Sequence, residues 1–346
     1  LTGGAWTCNN IICLLEERRG DLWAGTENGL YRVAIRRAGA QVDDRATAAG
    51  LIYSLCEDAE GSLWAGTVGG WLIQVREARF AFFFWPSGPA SGMPRCLRED
   101  GAGFLWVGGA AGRLGRFRDE SFQEFALPPR FRNHSAGALE RDASGSLWAG
   151  TSAGLLRFQG GAFHEVPLAF PGAGRDVRGL LRDRLGRMWA AVWEQGLVCL
   201  SAGGASERFT RASGLGDDRI HCLLEDRRGR LWIGSESGVR VGRPEPGGAF
   251  RPRLELDGCQ AMSAYEDGDG AVWIGTFNQG LKVHRAGRWG TVTIDQGLFD
   301  NRVYAILEDG GGCLWLTSER GIYMAKRSEL IRAAFDPRQR VHGRLF

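Results

Sequence analysis

Leu22-Trp23-Ala24-Gly25-Thr26 returns, little changed, seven more times along the chain. Tryptophan stands at 23, 64, 106, 148, 189, 232, 273 and 315, each time after Leu, Met or Val and most often before x-Gly-Thr/Ser. The spacings are 41, 42, 42, 41, 43, 41 and 42 residues. So regular a period means one structural unit repeated, and a unit of about 40–50 residues is either a propeller blade or a helical-pair repeat.

The rest of the unit decides between them. Six residues before each tryptophan stands an acid: Glu17, Asp58, Asp100, Asp142, Asp183, Asp226, Asp267 and Asp309. Three residues after each acid comes glycine, at 20, 61, 103, 145, 186, 229, 270 and 312. Asp-x-x-Gly between two short apolar runs is a tight turn, with a carboxylate that accepts backbone N–H bonds and a glycine free to take positive φ. The acids are therefore expected to form turns rather than to bind metal or catalyse. The runs on either side, such as Ile11 to Leu15, Ile52 to Cys56, Val177 to Leu181, Ile220 to Leu224 and Val303 to Leu307, are too short for helices and pair as antiparallel strands. A third strand follows the upper loop (29 to 33, 154 to 158, 280 to 284, 321 to 325), and a weaker fourth comes after it, as at Phe122 to Phe125, Phe163 to Val166 and Thr291 to Ile294. Four antiparallel strands repeated eight times predict an all-β fold, a β-propeller, eight-bladed if it closes, with a seven-bladed ring plus one extra repeat as the alternative. The whole chain, 1–346, is expected to be one domain, ending in a short helix capped by Ser328, stopped at Asp336-Pro337, and a truncated tail over 327–346.

Composition narrows the partners. The net charge of +3 comes from 43 basic and 40 acidic residues mixed along the chain, so no basic stripe marks a nucleic-acid surface and no nucleic-acid partner is expected. No run approaches the ~18 apolar residues of a membrane helix and no signal peptide opens the chain, so a membrane is reached only through segments outside it. The chain begins with Leu, as a mature or excised piece of a longer protein would. The eight cysteines show no metal or disulfide spacing, and three of them, Cys13, Cys96 and Cys222, share one small position in separate repeats, as buried free thiols would.

The motif Asp-x-x-Gly-x-Leu-Trp-x-Gly-Thr-x-x-Gly-Leu resembles the two-component regulator propeller repeat, found in periplasmic sensor regions of bacterial histidine kinases, hybrid sensors and diguanylate cyclases. That repeat opens with Gly-Leu-x-x-Asn/Asp, present here as Gly214-Leu215-Gly216-Asp217-Asp218 and Gly297-Leu298-Phe299-Asp300-Asn301. The resemblance implies a sensor domain of a signal-transduction protein, located in the periplasm, and leaves a homodimer of the full-length protein open. The strand around the tryptophan is also similar to that of streptogramin lyases, which typically continue with Phe-Thr-Glu where this chain has Ala/Ile-Gly-Thr.

Chain direction places the loop after Trp-x-Gly-Thr on the same face as the start of the first strand, and loops carry function on a rigid scaffold. Four residues before each acid is a small residue: Cys13, Ser54, Cys96, Ala138, Gly179, Cys222, Ser263 or Ala305. Packing between blades accounts for these. The preceding residue is not uniform: Ile12, Tyr53, Arg95, Gly137, Arg178, His221, Met262 and Tyr304. Two positions further up come Asn10, Leu51, Met93, Ser135, Asp176, Arg219, Gln260 and Arg302, on the same face of the strand. These two sets are expected to line the mouth of a central channel. In repeats five and seven the next glycine comes one residue late, giving Val192-Trp193-Glu194-Gln195-Gly196 and Thr276-Phe277-Asn278-Gln279-Gly280, and repeat two has Trp71 after Gly69-Gly70. An aromatic beside amides and carboxylates suits a sugar, its apolar face stacked and its hydroxyls hydrogen-bonded.

The expected ligand-binding residues are thus Tyr53, Arg95, Arg178, His221 and Tyr304 for polar contacts and Trp71, Trp193 and Phe277 for stacking, with a small molecule or oligosaccharide as ligand. No cofactor, metal or catalytic residue is expected, since the five histidines are scattered and no nucleophile elbow, phosphate loop or His-Glu-x-x-His occurs. A protein-interaction scaffold without small ligand is the alternative. A lyase would need a base beside a metal or acid, for which His221 with Asp176 is the candidate pair.

Overall fold

The computed structural model describes residues 11–18, 22–36, 39–47, 50–58, 61–68, 71–76, 79–84, 93–119, 121–168, 175–201, 206–245 and 250–345, with backbone only for 33–36, 39–47, 71, 76 and 79–84. Eight four-stranded antiparallel sheets follow one another, each with its strands in chain order. The fold is an eight-bladed β-propeller. Blades 1 to 8 occupy residues 11–47, 52–84, 94–124, 136–166, 177–209, 220–257, 261–292 and 305–345. The chain forms two compact units, residues 1–55 with 262–346 and residues 56–261.

In every blade the turn acid does more than shape its turn. One oxygen of Asp267 accepts the N–H groups of Asp269 and Ala271 at 3.0 and 2.9 Å, and the other accepts the indole Nε1–H of Trp273 at 2.8 Å. The indole bond recurs in all eight blades, from Glu17 with Trp23 to Asp309 with Trp315, at 2.7 to 2.9 Å. The turn glycines from Gly61 to Gly312 take φ between 74° and 84°, open to glycine without strain; Gly20 lies outside the described residues. At Asp226 burial opposes ionisation, yet the donors from Trp232, the Arg230 backbone and the Arg230 guanidinium hold the carboxyl below the ordinary range. Fixing the indole polar edge lets its apolar body wedge between blades.

That wedge builds the core. Alternation along the second strand turns the tryptophan to one neighbouring blade and the flanking Leu and Ala or Ile to the other. In unit 56–261, Trp64 packs on Leu105 and Val107, Trp106 on Leu147 and Ala149, Trp148 on Met188 and Ala190, and Trp189 on Leu231 and Ile233. In the other unit, Trp273 packs on Leu314 and Leu316, and Trp315 of blade 8 packs on Leu22 and Ala24 of blade 1. Blade 1 therefore sits against blade 8, and the backbone N–H of Gly310 also donates to the Glu16 carboxylate at 3.0 Å. An eighth blade in that position leaves no repeat over.

The small first-strand residues pack as their size predicts. The Cys13, Cys96 and Cys222 thiols point at carbonyls of the next blade, those of Ile52, Ala136 and Ala261. Burial pushes all three thiols up to about 12. The cysteines among the described residues are free.

Two local expectations are corrected. The fourth strand of blade 7 is Arg288–Val292, and Ile294 instead opens a 3-10 turn held by Thr293 and Gln296. The terminal helix is Arg327–Phe335, so Ser328 lies inside its first turn and not at its cap. Arg327 fixes that start, its N–H on the Gly312 carbonyl and its guanidinium on Asp269 and Glu308. Beyond the helix the tail is not left over. Arg344–Leu345 pairs with Tyr323 and Met324 and supplies the last strand of blade 8.

Candidate functional site

The variable first-strand residues owe their direction to a backbone irregularity. In blades 1, 4, 5 and 6 the register with the second strand skips one residue, between Ile11 and Cys13, Ala136 and Ala138, Val177 and Gly179, and Ile220 and Cys222. Blade 3 does the same between Pro94 and Cys96. The skipped residues are Ile12, Gly137, Arg178, His221 and Arg95. A β-bulge leaves its extra residue unpaired and re-aims its side chain, a device common beside functional sites.

In unit 56–261 the bulges of blades 5 and 6 bring several of the expected residues together. Trp193 stands on the loop after the second strand of blade 5, its N–H on the Asp176 carbonyl at 2.8 Å. The next residue, Glu194, takes φ 58°, which fits the extra residue into the loop. The Arg178 guanidinium lies over the Trp193 indole at 3.8 Å from the ring centre and is held by Asp176 at 2.8 Å. His221, from blade 6, meets Trp193 edge-on with ring centres 5.5 Å apart. On its far side, His221 Nε2 is 3.9 Å from Glu236, which Arg219 pairs at 2.6 Å, and 3.5 Å from the Gln260 amide. Arg178 covers one face of the indole, so a sugar ring has only the other face for stacking. The carboxylate facing His221 is Glu236. Asp176, the expected partner, is taken by Arg178.

Burial holds the His221 pKa below its ordinary 6.5, with Arg178 and Arg219 adding to that and Glu236 and Asp217 opposing it. The ring is therefore neutral at pH 7 and able both to donate and to accept. A histidine with a lowered folded pKa is fully compatible with the fold above the unfolded value and loses stability as pH falls through it toward the folded one. NMR titration of the His221 ring should place its midpoint below 6.5. Arg178→Ala should raise that midpoint and Glu236→Gln should lower it further; a midpoint above 6.5 in the unaltered protein would contradict the assignment.

The unit of residues 1–55 and 262–346 contains a second group of the same composition. Phe277 stands on the corresponding loop of blade 7, 6.5 Å from the Tyr304 ring of blade 8, with Arg302 over it at 5.8 Å. The Tyr304 hydroxyl donates to Glu319 at 2.9 Å, and Arg302 pairs with the same carboxylate. Burial pushes the Tyr304 phenol up, with Arg302 acting against it.

The other expected residues stand apart. Arg95 is exposed on its bulge and forms no ion pair or hydrogen bond with the Trp193 group among the described residues. Tyr53 is half-buried on Ile52–Glu57 and has no such tie to the Phe277 group. Trp71 opens the strand Trp71–Arg76, but its side chain lies outside the described residues, as does Asn10. Sequence reasoning passed over Glu236 and Glu319. A signal was present, because both stand four residues after their repeat tryptophan, the register of Trp193 and Phe277. Among the described residues no cluster of His, Cys, Asp and Glu could hold a metal ion, and no helix is long and apolar enough to cross a membrane.

The opening signature of repeats six and eight has a structural account. Gly214 and Gly297 end 3-10 turns at φ 95° and 97°, Leu215 and Leu298 plug the core, and the final Asp218 and Asn301 side chains accept the turn N–H groups of Arg211 and Ile294. The carbonyls of the same two residues accept Gly196 N–H and Gly280 N–H of the preceding blades, which fixes the loops carrying Trp193 and Phe277. These are two component regulator propeller repeats. The family model matches residues 6–28, 48–69, 214–237 and 297–320. No curated protein matches the chain by sequence.

Among solved structures, the extracellular domain of the hybrid two component system BT3049 from B. thetaiotaomicron is 15% identical, with a TM-score of 0.61 over 93% of this chain and 57% of that one. PorZ, a surface component of the type-IX secretion system of Porphyromonas gingivalis, is 13% identical, with a TM-score of 0.59 over 91% of this chain and 57% of that one. Virginiamycin B lyase from Staphylococcus aureus is 14% identical, with a TM-score of 0.58 over 78% of this chain and 92% of that one. At these identities the likeness is one of fold. The chain spans a little over half the length of the BT3049 domain, at 57%.

Proposed function

We propose that this propeller is the extracytoplasmic sensing part of a two component regulator and that it binds a small polar ligand of the oligosaccharide class at the Trp193 group. One observation carries the reading. An aromatic four residues after the repeat tryptophan is met in the next blade by Arg-x-His or Arg-x-Tyr and by a glutamate, once with Trp193, Arg219, His221 and Glu236 and again with Phe277, Arg302, Tyr304 and Glu319. The fold does not require it. Blades 2, 3 and 4 carry Val68, Ala110 and Ser152 in the aromatic position and form the same four strands. A half-covered indole beside a neutral imidazole, two guanidinium groups and carboxylates offers both stacking and hydroxyl recognition.

The test is a thermal-shift screen of the chain against oligosaccharides and small metabolites, with calorimetry on each hit. A melting temperature that climbs with ligand concentration supports a binding sensor. Arg178→Ala and Trp193→Ala should each weaken such a ligand by about tenfold to a hundredfold, as loss of an arginine or aromatic anchor does. Affinity unchanged in the double variant would remove the site, and silence across the panel from folded protein would favour an interaction scaffold. Turnover of a bound ligand would restore the lyase reading.

A further inference from the structure

At the opposite end of blades 5 and 6, where the Asp-x-x-Gly turns lie, we infer a site for a tetrahedral dianionic oxyanion, phosphate or sulfate, built from Arg184, Arg187, Arg228 and Arg243. The two turns read Asp183-Arg184-Leu185-Gly186-Arg187 and Asp226-Arg227-Arg228-Gly229-Arg230. A turn of this kind needs its acid and its glycine only. Blades 3, 4, 7 and 8 fill the middle positions with Gly101 and Ala102, Ala143 and Ser144, Gly268 and Asp269, and Gly310 and Gly311. The arginines of blades 5 and 6 are therefore not required by the turn itself, although Arg184 also donates to the Asp226 and Arg227 carbonyls of the next turn.

Three of these arginines, Arg184, Arg187 and Arg228, line a cavity of about 220 Å³ together with Glu225 and with Arg243 from beyond the turn. Two of the four guanidinium charges are compensated: Arg184 by Glu225 at 3.1 Å and Arg187 by Asp183 at 2.7 Å. Arg228 and Arg243 form no ion pair among the described residues; the Arg243 guanidinium donates to the Arg228 carbonyl, which fixes it beside the cavity. Two uncompensated positive charges match the charge of about −2 on a phosphate group.

A second, independent feature points the same way. The Arg187 side chain retains 10% of its exposure, with Nε on Asp183 and Nη1 on the Glu245 carbonyl at 2.9 Å, while its Nη2 is buried without a partner. The unmet donor leaves Arg187 with spare positive potential beside the cavity it lines, where an oxyanion would bridge Arg228 and Arg243. The site stands apart from the Trp193 group and does not depend on it.

The experiment compares sodium phosphate, sodium sulfate and methyl phosphate with sodium chloride at matched ionic strength, by thermal shift and calorimetry on the whole chain. The expected result is a saturable rise in melting temperature with the oxyanions and none with chloride. Arg228→Ala and Arg243→Ala are exposed substitutions that leave the anion-free melting temperature in place, and each should weaken binding about tenfold, the loss of one charge-assisted contact. Arg228→Glu should abolish it, and Trp193→Ala should leave it intact. Tighter binding of methyl phosphate than of phosphate would identify an ester as the natural source, and the reverse a free ion. A shift of equal size with chloride, or an unchanged shift in both alanine variants, would overturn the site.

Discussion

Asp267→Ala is expected to destabilise the protein by about 2–5 kcal/mol, because it strands two buried donors, the Ala271 N–H and the Trp273 indole, each costing roughly 1–3 kcal/mol without an acceptor, while the Asp269 N–H on the exposed turn can bond water instead. The carboxylate is fully buried, and it alone receives the side-chain-directed bonds of Asp269 N–H, Ala271 N–H and the Trp273 indole. Trp273 is itself fully buried, so no water replaces the lost acceptor at its Nε1. Asp267→Asn separates acceptor geometry from the rest. Its Oδ1 can still take both backbone N–H groups, but its amide then sets donor against donor at the indole, for a cost of about 1–3 kcal/mol, one unmet donor. Urea unfolding would measure both through the midpoint at unchanged slope. A cost below about 1 kcal/mol for the alanine variant, the level of an ordinary surface change, would show that the indole bond does not anchor the blade.

The turn, the strand pairing and the blade count were legible because each repeats eight times, so Asp-x-x-Gly and Leu-Trp-x-Gly-Thr each identify themselves against the rest of the sequence. The link between them was hidden. That an acid six residues before a tryptophan accepts its indole N–H is a fact of how the strand returns after the turn, and the spacing alone does not say whether the side chains meet. The site divides in the same way. Arg178, His221, Tyr304, Trp193 and Phe277 could be picked out as departures from the repeat, but the grouping of Arg178 and His221 with Trp193 depends on bulges that redirect single residues, and a bulge leaves no residue signature. Glu236 and Glu319 were missed for a different reason: a glutamate on a loop reads as a solvated charge until the Arg-x-His or Arg-x-Tyr beside it is seen to pair with it.

Gly234→Ala should cost about 3 kcal/mol, at the upper end of what overpacking a close-packed interior brings. A Cβ there would sit 2.4 Å from the Cys222 Sγ, 3.0 Å from the Ala261 Cβ and 3.1 Å from the Ala261 carbonyl oxygen. The glycine is required by that approach, since the first strand of the next blade presses directly on it. In blades 5 and 6 the pair across the blade carries one small residue and one glycine, and the roles are exchanged: blade 6 sets Cys222 against Gly234, while blade 5 sets Gly179 against Ala191, with only ordinary contact at 3.4 Å. Combining Gly234→Ala with Cys222→Gly reproduces the blade 5 arrangement and should recover part of the loss, although Cys222→Gly alone destabilises. Residues in contact show coupling of about 0.5–3 kcal/mol, so the double variant should fall short of the sum of the single costs by an amount in that range. Strictly additive costs would mean that the Ala261 backbone, and not the thiol, sets the limit. The seam would then tolerate no methyl at position 234 whatever stands opposite, and the exchange seen in blade 5 would have to rest on a different spacing to its neighbour.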